Sequence, residues 1–347
     1  MKATRENLDW PAEPFYVPAE VSTAFAERAT QLEAYAADWA KQFESWKSSD
    51  AKRSEQLQKQ LALETPADLE QRLVDALPND GKAVATRKLS QAVLQAASEA
   101  SPALIGGSAD LEPSTLTLVK DSTDVLPGQF KGRNLRLGVR EHGMGAIMNG
   151  MAYYGGFVPY GSTFLCFLDY MRPSVRLAAL SGLPTLYIYT HDSVFLGEDG
   201  PTHQPVEHVA ILRMTPNLYT LRPADGLETA VSYAMALERK DGPSALILSR
   251  QGLPQLERAA NFDRADIRKG GYAVKDCEGT PELVFVASGS EVSLALEAAE
   301  QFADKKVRVV SMPCAERFLE QDAAYREALV PAAAKKVIIE AGLTFGW

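Results

Sequence analysis

The sequence predicts an α/β protein: a helical N-terminal arm, a central domain on a mainly parallel sheet, and part of a second α/β domain. Three observations carry this expectation. From about residue 82 onward, short β-branched and aliphatic runs alternate with amphipathic stretches, the pattern of repeated β-α units. The first eighty residues show no such runs and have helical spacing of apolar positions instead. Polar, glycine-bearing segments follow the apolar runs directly, where open α/β sheets hold their ligands.

The arm comes first. Residues 21 to 63 are expected to form helix, with Phe25, Leu32, Trp39, Phe43 and Trp46 spaced along alanine-, glutamate- and lysine-rich sequence. Trp10-Pro11-Ala12-Glu13-Pro14 before it is expected to be extended, because each proline disfavours helix in the residue preceding it. A short helix over residues 66 to 77 ends at the turn cluster of residues 78–81, which places the arm at residues 1–80.

The central domain is assigned to residues 81–268. A helix from Thr86 to about residue 99 leads to the strand candidate Ala103-Leu104-Ile105, which the Gly106-Gly107 pair is expected to break. Residues 135 to 139 form a second strand candidate, followed by a helix opening near Glu141. Residues 185–190 and 245–249 are buried-strand candidates, with a helix over residues 227–238 between them. The second domain, residues 269–347, shows a β-α-β-α-β pattern with strands at residues 283–287, 307–310 and 337–339. Its Ser288-Gly289-Ser290-Glu291 segment could in isolation be a phosphate turn. Without the fuller glycine fingerprint of a dinucleotide fold, Ser290 as a helix N-cap is the stronger reading. Three strands make an abrupt end for a self-sufficient domain, so this one is expected to be partial.

Composition narrows the function. Of 347 residues, 46% are hydrophobic and 23% charged, a globular balance that excludes a disordered chain. The net charge of −9 argues against a nucleic-acid footprint or an anionic membrane surface, so a phosphate-bearing ligand would need a local cationic pocket. No run of ~18 apolar residues suits a membrane span, and the N-terminus lacks a signal-peptide core. Cys166, Cys277 and Cys314 are far apart and form no CxxC, which indicates a reducing compartment; a cytoplasmic location is expected.

All four histidines, His142, His191, His203 and His208, fall in one part of the central domain. Their spacing fits no zinc pattern, and metal binding by this chain is not expected. The loop after the strand ending at Thr190 runs His191-Asp192-Ser193-Val194-Phe195-Leu196-Gly197-Glu198-Asp199-Gly200-Pro201-Thr202-His203. Three acids and two histidines on a glycine- and proline-punctuated loop suit binding better than packing.

That loop, with Gly138-Val139-Arg140-Glu141-His142-Gly143-Met144, Gly107-Ser108-Ala109-Asp110-Leu111, Ala85-Thr86-Arg87-Lys88 and Leu248-Ser249-Arg250-Gln251, resembles the transketolases in order and approximate spacing. The resemblance covers essentially the whole chain but only the later part of a transketolase: its pyrimidine-binding domain, most of the arm before it, and the start of its C-terminal domain. It implies transfer of a two-carbon ketol unit from a ketose phosphate to an aldose phosphate through thiamine diphosphate. The Gly197-to-His203 loop with Arg87 and Arg250 favours transketolase over 1-deoxyxylulose 5-phosphate synthase and dihydroxyacetone synthase. The rival class is a non-catalytic subunit or interaction module.

The resemblance also implies roles. Glu141 would hydrogen-bond a ring nitrogen of the cofactor's aminopyrimidine and assist the proton transfer that activates it; the bland alternative is a first-turn glutamate offsetting the helix dipole. Phe164, Phe167 and Tyr170, at i, i+3 and i+6, would form the aromatic wall on the pyrimidine, or an ordinary apolar helix stripe. Arg87, Ser114, His191 and Arg250 would hold the sugar phosphate, although either arginine alone would more often be a surface ion-pair partner. Asp199 would read the hydroxyl beside the aldose carbonyl, and His203, counted with Glu141 as catalytic, would contact the donor near its carbonyl end. Asp110 lies in the cofactor-side loop, where an Asx turn also explains it. His142 and His208 are expected to be structural.

Transketolases hold the cofactor's diphosphate, with Mg2+ or Ca2+, through an N-terminal domain whose Gly-Asp-Gly motif and distant asparagine have no counterpart in this sequence. The chain is therefore expected to work with a diphosphate-binding domain from elsewhere, as a homodimer or hetero-assembly, or to be a piece of a longer enzyme.

Overall fold

The computed structural model describes residues 1–78, 81–258 and 262–347. Asn79 and Asp80 of the predicted boundary turn lie outside the described residues. The chain divides into two compact units, Met1–Gln58 and Lys59–Trp347.

The first unit holds α1 (Lys2–Asn7), which the prolines of the following segment gave no reason to expect, and α2 (Ala19–Ser49); α3 (Ala51–Leu61) runs across the division at Gln58. The single helix expected over residues 21–63 is thus two. Asp50 leaves helical geometry at φ −142°, and its carboxylate accepts a hydrogen bond from the Arg53 N–H at 3.1 Å. That bond satisfies one of the free donors of α3, as an N-cap does.

The second unit begins with α4 (Leu69–Asp75), α5 (Thr86–Ala100) and β1 (Leu104–Ser108), followed by α6 (Glu112–Thr115), β2 (Asn134–Arg136), α7 (Glu141–Tyr154), β3 (Val158–Phe164), α8 (Leu168–Leu180) and β4 (Leu186–Thr190). Then come α9 (His208–Arg213), β5 (Tyr219–Leu221), α10 (Gly226–Glu238) and β6 (Ser244–Leu248). These six strands form one sheet in the order β2-β1-β3-β4-β6-β5, and every pairing in it is parallel. Strands β3, β4 and β6 are buried along their whole length, as expected where helices cover both faces.

Gly106 and Gly107 do not break β1; they sit inside it. A Cβ on Gly106 would lie 1.9 Å from the Tyr160 carbonyl oxygen, and one on Gly107 1.9 Å from that of Leu135. Only glycine lets β2 and β3 approach so closely on either side.

The rest of the unit carries β7 (Tyr272–Lys275), β8 (Leu283–Ala287), α11 (Glu291–Glu300), β9 (Val307–Ser311), α12 (Ala315–Leu319), α13 (Ala323–Leu329) and β10 (Lys335–Ile339). Its sheet has four strands in the order β10-β8-β9-β7, not three, and β7 runs antiparallel to β9 with a bulge between Ala273 and Lys275. One core is continuous across both sheet domains, from Leu94, Leu104 and Ile188 to Phe285, Val292 and Val309.

Two buried polar networks also join them. Glu228 on α10 accepts hydrogen bonds from Tyr272 and Ser311, and Arg258 pairs with Asp225 at 2.8 Å. Arg222, after β5, pairs with Asp192 on one side and Glu291 on the other.

Candidate active site

The predicted residues converge on one edge of the parallel sheet. Asp110 and Ser114 follow β1, Glu141 follows β2, Phe164 ends β3, His191 follows β4 and Arg250 follows β6. Five neighbouring strands therefore deliver their carboxyl ends to one face, the position that open α/β sheets use for ligands. Arg87, in the first turn of α5, is brought there by a clasp that sequence reading missed. The Thr86 N–H donates to Ser249 Oγ at 3.0 Å, and the Ser249 N–H donates to Thr86 Oγ1 at 2.8 Å. The two predicted arginines each adjoin a member of this pair, which was the available signal.

Arg87 is half-buried and donates through Nη1 to the Ser114 carbonyl at 2.5 Å, so it holds the Ser114 loop by its backbone. Its buried Nε has no partner, and among the described residues neither Arg87 nor Arg250 makes an ion pair. Burial, then the like charge of Arg250, pushes the Arg87 pKa down, against an opposing pull from Asp199. Two guanidinium groups that repel each other and form no ion pair among the described residues leave a place for an anion.

His191 feels the charge of both. It is 3% exposed and left-handed at φ 59°, with Nδ1 2.9 Å from Thr190 Oγ1 and Nε2 4.0 Å from Asp199. Burial, then Arg87, with Arg250 and His203 adding to it, pushes its pKa from 6.5 to about 4, although Asp199 opposes the shift. The ring is therefore neutral at pH 7. In the tautomer in which the Thr190 hydroxyl donates to Nδ1, Nε2 carries the hydrogen and serves as a donor to a ligand.

A measurable consequence follows from that shift. The unfolded state binds a proton on this ring below about pH 6.5 that the folded state refuses down to about pH 4. The contribution is complete above pH 6.5 and is lost as the pH falls through that window. Denaturant unfolding between pH 7 and pH 4 should show a smaller loss of stability in His191→Asn than in the wild type; asparagine tolerates the left-handed backbone.

The aromatic residues make a ladder, but not a helical stripe. Phe164 is the last residue of β3, Phe167 closes the 3-10 turn Leu165–Phe167, and Tyr170 lies on α8. Phe164 and Phe167 are stacked at 5.9 Å and 9°, and Phe167 meets Tyr170 at 6.0 Å. Phe164 also contacts the His191 ring at 3.7 Å, while His203 lies edge-on to Phe167 at 5.3 Å. Flat rings in this order can hold a planar heterocycle next to the two histidines. The exposed outer rung, Tyr170, is 64% accessible.

Glu141 opens α7 and is 9% exposed, and its carboxylate has no hydrogen-bond or ion-pair partner among the described residues. It is therefore fit to receive an N–H from a bound ring.

Asp110 is exposed, left-handed at φ 62°, and lines a cavity of about 250 Å³ with Ser108, Glu112, Arg136 and Gly138. His142 and His208 lie apart from the converging set. His142 Nδ1 is 3.2 Å from Ser174 on α8, and His208 Nε2 is 3.3 Å from Asp169. Ser290 is the first residue before α11 but makes no capping bond; its hydroxyl is engaged by Arg222 and Glu291. Among the described residues no group of three or more His, Cys, Asp or Glu could hold a metal ion, and no helix is long and apolar enough to cross a membrane.

Comparison with known proteins bears on the family and the fold. Residues 82–255 match the family described as "Transketolase, pyrimidine binding domain", residues 270–347 "Transketolase-like TK C-terminal domain", and residues 1–66 "Transketolase, thiamine diphosphate binding domain". The sequence is 48% identical over 351 aligned residues to Transketolase 1 of Vibrio vulnificus (strain CMCP6), covering 99% of this chain and 53% of that protein. The chain spans about half the length of the curated relatives it matches. The crystal structure of Pichia stipitis transketolase in complex with sedoheptulose 7-phosphate superposes with a TM-score of 0.90 at 41% identity, covering 97% of this chain and 50% of that one. A split gene transketolase, described as an inactive β4 tetramer, shares the fold at a TM-score of 0.59 and 23% identity, over 76% of this chain and 82% of that one.

Proposed function

The chain belongs to the transketolase family, and from that premise we propose that it supplies the pyrimidine side of a transketolase active site. The reaction is transfer of a two-carbon ketol unit from a ketose phosphate to an aldose phosphate. The diphosphate end of the cofactor is held by a domain from another chain or from a longer polypeptide of which this is part.

The observation that carries the reading is one convergence: two unpaired arginines and a neutral histidine share the strand-end face with a buried, unpartnered Glu141. Thiamine diphosphate, when bound, supplies the nucleophilic carbon that carries the two-carbon unit. The residues present fit its pyrimidine end, because Glu141 has a free acceptor and Phe164 and Phe167 are stacked flat. They do not fit the diphosphate's metal ion, for which the described residues hold no ligand set.

Within this reading Glu141 accepts a proton-bearing ring nitrogen, and Arg87 and Arg250 bind the sugar phosphate in the pocket that an acidic chain otherwise lacks. His191 Nε2–H and the Ser114 hydroxyl complete the phosphate's donors. Asp199, 4.0 Å from His191, accepts a sugar hydroxyl and so rejects analogues without one. His203, against Phe167, faces the donor's carbonyl end, and Asp110 contributes from the loop after β1. Exposed Ile147, Tyr153 and Tyr154 of α7 and Leu177 and Leu180 of α8 leave an apolar surface for a second subunit.

A two-carbon transfer assay tests the proposal with the chain alone and mixed with a transketolase diphosphate-binding chain. Turnover is expected in the mixture only. Folded protein with no turnover in either arrangement refutes it and favours a non-catalytic module.

A further inference from the structure

Asp192 is the acid next to His191, to which the sequence assigns no role. Only 2% of it is exposed, and it pairs with Arg222, the residue that follows β5. Its Oδ2 accepts from Arg222 Nη2 at 2.7 Å and Nε at 3.2 Å. Arg222, 0% exposed, reaches on into the second sheet domain: Nη1 donates to the Ser288 carbonyl at 2.8 Å and to Glu291 at 2.5 Å, and Nη2 to Ser290 at 3.2 Å. The Ser288-Gly289-Ser290-Glu291 turn is thus filled by a guanidinium. A Cβ on Gly289 would lie 2.8 Å from Arg222 Cγ, so the turn is shaped around this side chain. Glu340, paired with Arg213 at 2.7 Å, closes the cluster 3.8 Å from Arg222.

Desolvating so many charges makes the cluster a poor source of net stability. Its location gives it a use. The residue it grips is bonded to His191, whose left-handed backbone, uncommon outside glycine, holds the ring against Phe164 and 4.0 Å from Asp199 within the electrostatic reach of Arg87 and Arg250. We propose that Arg222 and Asp192 are positioning residues for the phosphate pocket, through which the C-terminal domain fixes the His191 conformation. The proposal rests on the reading of His191 as a phosphate contact.

The test is binding of inorganic phosphate to the full chain at pH 7, followed by calorimetry, with melting temperature measured on each variant. Saturable binding by the wild type, weakened at least about fivefold in His191→Asn, is what the functional reading requires; its absence refutes that reading and this inference with it. Given it, Asp192→Ala and Arg222→Lys should weaken binding about tenfold, and Asp192→Asn, which keeps an acceptor for Arg222, about threefold. Arg258→Lys disturbs the other buried network that joins the sheet domains, through its bonds to Asp225 and Tyr272, should lower the melting temperature similarly, and should leave binding within about twofold. Should Asp192→Ala not fold, the order of the remaining three decides. Wild-type affinity in folded Arg222→Lys and Asp192→Asn, or an equal loss in Arg258→Lys, overturns the proposal.

Discussion

Glu141→Gln should reduce two-carbon transfer in the complemented assay by about a thousandfold or more while leaving the chain as stable as the wild type. General acid–base participation of one side chain is worth roughly 10²–10⁴ in rate, and glutamine cannot follow the proton that the cofactor ring gains and loses. The stability half of the prediction has its own physical basis. The carboxylate makes no hydrogen bond or ion pair among the described residues, so glutamine removes no such contact from the folded chain. What the charge gains is its place at the N-terminus of α7, worth about 0.3–1 kcal/mol. Removing it therefore costs no more than that, and the melting temperature should stay within about 3 °C of the wild type. A variant with near-normal turnover refutes the role of Glu141. A variant that loses turnover together with its fold shows Glu141 to be structural.

How far the sequence reveals this arrangement depends on whether a residue is placed by its neighbours in the chain or by distant ones. Strands β4, β6 and β8 are continuous apolar runs and are legible because they are buried on both faces. Strand β3 is equally buried but carries Pro159 and Gly161, which interrupt any run; Gly161 is there because a Cβ would lie 2.4 Å from Met148 Sδ. The Gly106-Gly107 pair is misread for the same reason, since close strand approach and a loop both call for glycine. The antiparallel β7 carries only four residues and a bulge, too little for a periodic pattern. In the site, Glu141, His191, Asp199, His203 and Arg250 are legible because each sits in a distinctive local segment. The pairing of Asp192 is not, because its partner Arg222 is thirty residues away and is itself held by Ser288 and Glu291 of the second sheet domain.

Arg250→Ala should raise the KM for sugar phosphates about 10- to 100-fold with little change in kcat, and leave the KM for an unphosphorylated sugar unchanged. The phosphate is remote from the reacting carbons, so its grip is equal in ground and transition states and appears in KM. The size follows from one charge-assisted pair, about 1.5–3 kcal/mol. Arg250 is the cleaner of the two arginines to remove. It makes no hydrogen bond or ion pair among the described residues, and its loss relieves repulsion on Arg87. Its removal should therefore not lower the melting temperature. Arg87→Ala should raise KM comparably but also destabilise the chain, because Nη1 satisfies the Ser114 carbonyl. With both arginines gone the KM effect should fall short of the product of the two, since each holds the same dianion and the first loss already loosens its position. Steady-state kinetics on the three variants with phosphorylated and unphosphorylated substrates decides the matter: a KM rise that is equal for both kinds of sugar would place these arginines away from the phosphate.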